Sequence, residues 1–195
     1  MADLTLPHID TSNPLERADV IVADRLLPFA EQGLVRAIGA ISDLSDQEPL
    51  YAAGAGVIGT GMLLRDRGTF ETGLQMLAAH LLATAMRGMV KEAIDRTRPI
   101  AAAERGEYEL AEGQRQESDY SSFPSGHTAG AVAVARLIGR RHPGGRAAAL
   151  GLAGASAAAQ VLRSKHYITD VVAGAAVGWI AEELVHILVT RCERV

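Results

Sequence analysis

Between residues 15 and 44, apolar side chains recur at helical spacing (Val20, Ile21, Leu27, Leu34, Val35, Ile38, Ile41), interrupted by Asp19, Asp24, Arg25, Glu31 and Arg36. Pro28 has no N–H to donate and breaks this pattern, so the region predicts a pair of amphipathic helices lying on a surface, that of a membrane or of a helical bundle. From residue 46 to 190 the pattern changes. Five apolar segments follow, over 49–64, 70–95, 125–140, 146–163 and 167–190. They predict an all-α bundle of about five to six core helices in one domain spanning 15–195, after a flexible stretch of residues 1–14.

The charge-free cores of these segments are short: sixteen residues for Pro49–Leu64 and for Ala147–Leu162, fifteen for Thr72–Met86. At ~1.5 Å per residue, sixteen residues rise ~24 Å, against a hydrocarbon thickness of ~30 Å. Length alone leaves them at the margin of spanning. Charge placement is more informative. If successive helices alternate in direction, one end of the bundle receives Arg65, Arg67, Arg136, Arg140, Arg141, Arg146, Arg191 and Arg194. The other end receives the 99–123 loop, in which Glu104, Glu107, Glu109, Glu112, Glu117 and Asp119 outnumber Arg105 and Arg115. That is the positive-inside asymmetry of a multi-pass cell-membrane protein, with the acidic loop on the extracytoplasmic side. Gly174 and Gly178, four apart in an Ala-rich helix, suit close helix packing in lipid. The competing reading is a soluble Ala-rich bundle whose loops sort by charge.

Composition narrows the classes. The chain of 195 residues is 48% hydrophobic with mean hydropathy +0.11, and its 4% aromatic content argues against an aromatic-rich sheet core. A formal charge of −4 gives no reason to expect nucleic acid as a partner. Cys192 is the sole cysteine and excludes an internal disulfide. The first fourteen residues have two aspartates and no apolar core, unlike a signal peptide.

The chemistry-bearing residues fall into three blocks. Lys91 and Arg98 are seven apart, close to two helical turns, so the spacing predicts both on one helix face, about 10 Å apart, with the helix ending before Pro99. Two cations there could clamp one phosphate, pair with Asp95 between them, or serve as membrane anchors. Pro124-Ser125-Gly126-His127 opens the next helix, whose free N–H groups and dipole welcome an oxyanion. Gly126 permits close backbone approach, Ser125 adds a hydroxyl, and His127 stands where it could protonate a leaving oxygen; a plain helix cap with a buried histidine is the bland alternative. His166 and Asp170 are four apart, so the carboxylate could hold one ring nitrogen and free the other as a nucleophile, or form a structural cap. A metal site is disfavoured, because Lys91, Arg98 and Arg163 would repel a cation. His8, His80, His142 and His186 lack such company and read as structural or surface residues.

Taken in order, Lys91-x6-Arg98-Pro99, Pro124-Ser125-Gly126-His127 and His166-x3-Asp170 resemble the three-part signature of the type-2 phosphatidic acid phosphatase superfamily over roughly residues 40–185. The resemblance implies a metal- and cofactor-independent helical phosphatase. His166 would attack phosphorus to give a phosphohistidine, Asp170 would orient it, and His127 would protonate the leaving group. Lys91, Arg98, Ser125 and Gly126 would bind the phosphoryl oxygens. The membrane branch of that superfamily acts on lipid phosphates and diphosphates, usually on the extracytoplasmic side. Soluble acid phosphatases and vanadium-dependent haloperoxidases share the superfamily and stand as alternatives. One departure is plain: six residues before His166, where the signature carries an arginine, this chain has Gln160, preceded by Ala159 instead of serine. Arg163, three residues on, is expected to supply that charge, with Gln160 offering a neutral hydrogen bond. The same departure admits a phospholipid-binding protein with weakened turnover.

Overall fold

The computed structural model describes residues 5–192 apart from positions 10, 31, 114 and 116, so Glu31 and Arg194, and with them the side chain of Ile41, lie outside the described residues. The N-terminal region forms α1 (Pro14–Leu26) and α2 (Gly33–Ser42), separated by a 3-10 turn over Leu27–Phe29. Asn13 caps α1 by accepting from Leu15 N at 3.0 Å, Pro14 occupies the first helical position, and Pro28 ends the helical run. Leu6 N donates to Asp24 Oδ1 (2.8 Å), and Leu6 and Ile9 pack on Val20, Ala23 and Tyr167.

The five apolar segments become α3 (Gln47–Leu64), α4 (Arg67–Ala93), α6 (Gly126–Arg141), α7 (Arg146–Leu162) and α8 (Ile168–Cys192), with a short α5 (Pro99–Arg105) between α4 and α6. Asp46 caps α3 through Gln47 N, and Asp66 caps α4 through Gly68 N and Thr69 N. Arg65, at φ 52°, makes the reversal between α3 and α4.

The prediction of one helix reaching to Arg98 is corrected. Helix α4 ends at Ala93, and Ile94–Arg96 form β1, antiparallel to β2 (Leu110–Glu112) with Asp95 opposite Ala111. Ile94 is extended at φ −135°, ψ 117°. The ladder with β2 satisfies backbone groups that a further turn of helix would have used, and helical periodicity carries no sign of that distant partner.

Ala79 and Ala83 of α4, Ala133 of α6 and Ala181 and Val185 of α8 form the central cluster. Small side chains there let three helices approach closely. Gly174 and Gly178 are the closest points: an added Cβ would strike the carbonyl oxygens of Ser125 and Ala129 in α6. Helix α7 covers α6 through Ala131, Ala135 and Ala153, and α3 packs by Leu50 and Val57 on Met76, Val134 and Leu137. Arg141 of α6 reaches Gln75 (3.2 Å) and Glu71 (3.9 Å) near the start of α4, so α4 and α6 run antiparallel, whereas the glycine contacts set α8 parallel to α6.

The outer surface is apolar. Met62, Leu63, Leu64, Leu81, Met89, Leu152, Val172, Ile180 and Leu188 are exposed. Helix α8 has an 18-residue stretch of mean hydropathy 1.6, only 28% of it buried, and is the one helix among the described residues long and apolar enough to cross a membrane. The two acids in its middle do not face outward alone. Glu182, fully buried, accepts from Arg136 Nε (2.8 Å) and Arg140 Nε (2.6 Å), while Glu183 takes the second arms of both arginines. Arg136, which also stacks 3.5 Å over the Trp179 ring, and Arg140 are thus partly neutralised within the bundle instead of standing as free loop charges.

Candidate active site

All three blocks arrive at one end of the bundle. Lys91 lies in the last turn of α4 and donates Nζ to the Ser121 carbonyl at 2.6 Å. Arg98 sits just before α5, held by its backbone N–H to the Asp119 carbonyl (2.7 Å), and its buried Nε has no hydrogen-bond partner among the described residues. Lys91 and Arg98 therefore converge from a helix end and a loop, not from successive turns of one helix. Neither pairs with Asp95, whose carboxylate accepts from Arg115 N (3.1 and 3.2 Å).

Ser125 is the cap of α6, completely buried, with its N–H on the Asp170 carbonyl (3.0 Å) and its Oγ accepting from Thr128 Oγ1 (3.1 Å). The N–H groups of Gly126, His127 and Thr128 have no acceptor among the described residues, and no side chain caps them. Three open donors at a positive dipole end form an anion cradle. His127 Nε2 is buried without a hydrogen bond, 3.8 Å from Asp46 Oδ2.

His166 lies in the tight turn from α7 into α8. The Gln160 carbonyl accepts from both Lys165 N (3.1 Å) and His166 N (3.2 Å), and Ser164 takes φ 52°. The expected hold of Asp170 on the imidazole is shared with a backbone carbonyl. His166 Nδ1 is 2.7 Å from the Ser122 carbonyl, with Asp170 Oδ2 farther off at 3.6 Å. A carbonyl only accepts, so Nδ1 carries the proton and the Nε2 lone pair faces away from this anchor. Asp170 also acts on the surrounding loops: Oδ2 accepts from Ser122 Oγ (2.6 Å) and Tyr167 N (2.8 Å), and Oδ1 from Arg96 (2.6 Å). Burial, reinforced by Arg98 and Lys91 and opposed by Asp170, holds the His166 imidazole below its ordinary pKa.

Arg96, absent from the sequence reading, is the hinge of this arrangement. Only 2% exposed, it binds Asp170 and Thr169 Oγ1 (2.7 Å) with Nη1, and Asp19 of α1 (2.8 Å) and Tyr108 OH (3.2 Å) with Nη2, while stacking 4.0 Å above Tyr167. Thr169 also donates to Asp19 through its N–H (3.1 Å) and its hydroxyl. The amphipathic α1 is thereby tied to the nucleophile's turn. The interrupting Asp19 within an apolar repeat was the available signal.

Arg163, expected to bring charge to the cup, binds Asp43 Oδ1 (2.7 Å) and the Gly39 carbonyl (3.1 Å) at the end of α2. Gln160, fully buried, donates Nε2 to Ser42 Oγ (2.8 Å). A second residue missed by the sequence reading is Arg87, one turn before Lys91 on α4; its guanidinium lies against Gly126, where an added Cβ would be 2.7 Å from Cζ. The close approach that Gly126 permits is thus to a side chain as well as to any ligand. Arg87, Lys91, Arg98 and His166 are near enough to interact electrostatically, as are His127 and His166. Among the described residues no cluster of three or more His, Cys, Asp or Glu could hold a metal. A large cavity between residues 7–16 and the 106–110 loop is lined by Glu16, Glu107 and Glu109, the wrong charge for phosphate.

The sequence pattern of the PAP2 superfamily matches residues 72–194. No curated protein matches the chain in sequence. Among solved structures, a transmembrane PAP2-type phosphatidylglycerolphosphate phosphatase from Bacillus subtilis is similar at TM-score 0.69 and 22% identity, over 92% of this chain and 88% of its own. LpxE from Aquifex aeolicus is similar at TM-score 0.63 and 17% identity, over 86% and 94%. Both likenesses establish the helical fold.

Proposed function

Because the chain is a phosphatase of the PAP2 superfamily, we propose that it hydrolyses a lipid phosphate or diphosphate in a membrane, without a metal, through a phosphohistidine on His166. The observation that carries this is the His166 imidazole, fixed through Nδ1 by the Ser122 carbonyl beside unpaired α6 N–H groups and the cations Arg98 and Lys91. Nε2 attacks phosphorus and the N–P bond forms as the P–O bond to the leaving group breaks, with His127 giving that oxygen a proton. Water then attacks the phosphohistidine, His127 takes its proton back, and inorganic phosphate leaves with His166 restored. The α6 donors and cations stabilise charge on the equatorial oxygens.

A lipid substrate suits the exposed apolar faces of α4 and α8, where Met89 and Val172 lie close to the site end. Phosphatidate, phosphatidylglycerol phosphate and polyprenyl diphosphates all present the required group. At the opposite end Arg65, Arg67, Arg136, Arg140, Arg141, Arg146 and Arg191 outnumber Asp66, Glu71, Glu182 and Glu183, which supports a site on the extracytoplasmic side. Purified full-length protein in detergent should release phosphate from such lipids, and the protein should stay in the membrane fraction through high-salt and alkaline washes. Undiminished release in the presence of a chelator is expected, with inhibition by vanadate. Absence of release from every lipid in the panel would defeat the reading.

The pH dependence has a definite sign. His166 must be neutral to attack, and its lowered pKa places the acid limb of the rate below the ordinary histidine value of about 6.5. His127 must be protonated, a form that burial disfavours and that Asp46, 3.8 Å from its Nε2, favours. Asp46→Asn is therefore expected to move the basic limb to lower pH and leave the acid limb in place, as measured by kcat/KM from pH 4 to 9.

A further inference from the structure

The third block lacks the arginine that the superfamily signature carries at position 160, and neither nearby substitute fills the gap. Gln160 is bound to Ser42, and Arg163 to Asp43 and Gly39. We propose that Arg87 supplies the missing guanidinium, binding the phosphoryl group from α4 where the signature would place an arginine on α7. The inference rests on the phosphatase reading above.

Four observations converge on Arg87. It precedes Lys91 by one turn, so the two side chains share a face of α4. Its guanidinium lies over Gly126, beside the open N–H groups of α6. Its Nε is buried without a hydrogen bond, and the side chain makes no ion pair among the described residues. Lys91 and Arg98 repel it, and Asp46, the carboxylate that attracts it, stays beyond ion-pair distance.

A half-buried guanidinium with its Nε out of water, next to other cations and with no ion pair among the described residues, is an arrangement that a bound anion relieves. Other arginines near the cup are engaged: Arg96 by Asp19 and Asp170, Arg105 by Asp119, Arg115 by Glu109, Arg163 by Asp43. Among the described residues, Arg98 and Arg87 retain buried Nε atoms without an ion pair. Gly126 makes room for the geometry, since a methyl group there would displace the guanidinium. The cup thus holds two forked donors and one ammonium, a set suited to the three oxygens of a transferring phosphoryl group.

The test uses full-length protein in detergent, orthovanadate as the binding probe by titration calorimetry, and phosphate release from a short-chain phosphatidate. Circular dichroism and elution volume report the fold of each variant. Arg87→Met is expected to weaken vanadate binding about 100-fold and to lower kcat/KM by about 10²–10³. Arg87→Lys, which keeps the charge without the fork, should fall between Met and wild type in both measurements. Arg163→Met should change either by less than about threefold, the scale of a partly exposed ion pair. Adding Gln160→Arg to Arg87→Met should recover about tenfold or more of the lost affinity, a gain that a merely structural role for Arg87 would not produce. Wild-type vanadate affinity in Arg87→Met, or an Arg163→Met loss equal to that of Arg87→Met, overturns the assignment while leaving the phosphatase reading intact. A wild-type protein that neither releases phosphate nor binds vanadate overturns both.

Discussion

His166→Ala is expected to lower kcat for phosphate release by about four orders of magnitude or more, the scale on which covalent enzymes lose turnover when the nucleophile is removed. The alanine leaves the anion cradle in place: the Gly126, His127 and Thr128 N–H groups, Arg98 and Lys91 belong to other elements. Vanadate should therefore still bind the variant, weakened by the loss of its imidazole contact. A loss confined to catalysis separates a nucleophile from a structural histidine. Wild-type enzyme quenched in alkaline detergent should carry phosphate that survives at alkaline pH and is lost in acid, as expected for an N–P bond, and His166→Ala should carry none. Turnover in His166→Ala within tenfold of wild type would show that His166 does not attack phosphorus.

Arg96→Ala is the second large effect, and it acts on the fold. The substitution leaves Asp170 and Asp19 buried without the guanidinium they share, and removes the contacts to Thr169, Tyr108 and the Tyr167 ring. Truncating one member of a buried charge network costs about 3–5 kcal/mol, because the remaining carboxylates cannot return to water. For a domain of this size, that corresponds to a fall in Tm of about 6–20 °C. Both carboxylates hold the ends of loops, so activity should fall with stability. Ser122, whose carbonyl anchors His166, is itself held by Asp170 Oδ2 and by its N–H on the Arg96 carbonyl (3.0 Å). Asp19→Asn keeps a hydrogen-bonding side chain of the same shape and should lose less. A thermal melt of Arg96→Ala within about 2 °C of wild type would show that the network contributes no net stability.

The two effects have different origins in the chain. His166 could be singled out because its block has a characteristic spacing and lies between two long apolar runs. Arg96 could not, although it lies inside the first block between Asp95 and Thr97. Its partners are 77 and 74 residues away, at Asp19 and Asp170, and no local pattern announces contacts at that range. The same holds for the Ser122 carbonyl. A backbone oxygen has no residue type to read, so spacing pointed to the Asp170 carboxylate for a hydrogen bond that the chain makes elsewhere.

What the sequence determined by itself is the helical skeleton and the identity of the three blocks. Helix periodicity and apolar run length are local properties, and they placed the five long helices to within a few residues. Tertiary structure decided the break at Ala93, where pairing with Leu110–Glu112 displaced the expected helix, and it decided the allotment of charge among the arginines. Arg163, near in sequence to His166, went to Asp43, while Arg87, seventy-nine residues away, was left against Gly126 with no ion pair among the described residues. Charged side chains choose partners by distance and desolvation in the folded chain, and those quantities exist only once the helices have packed.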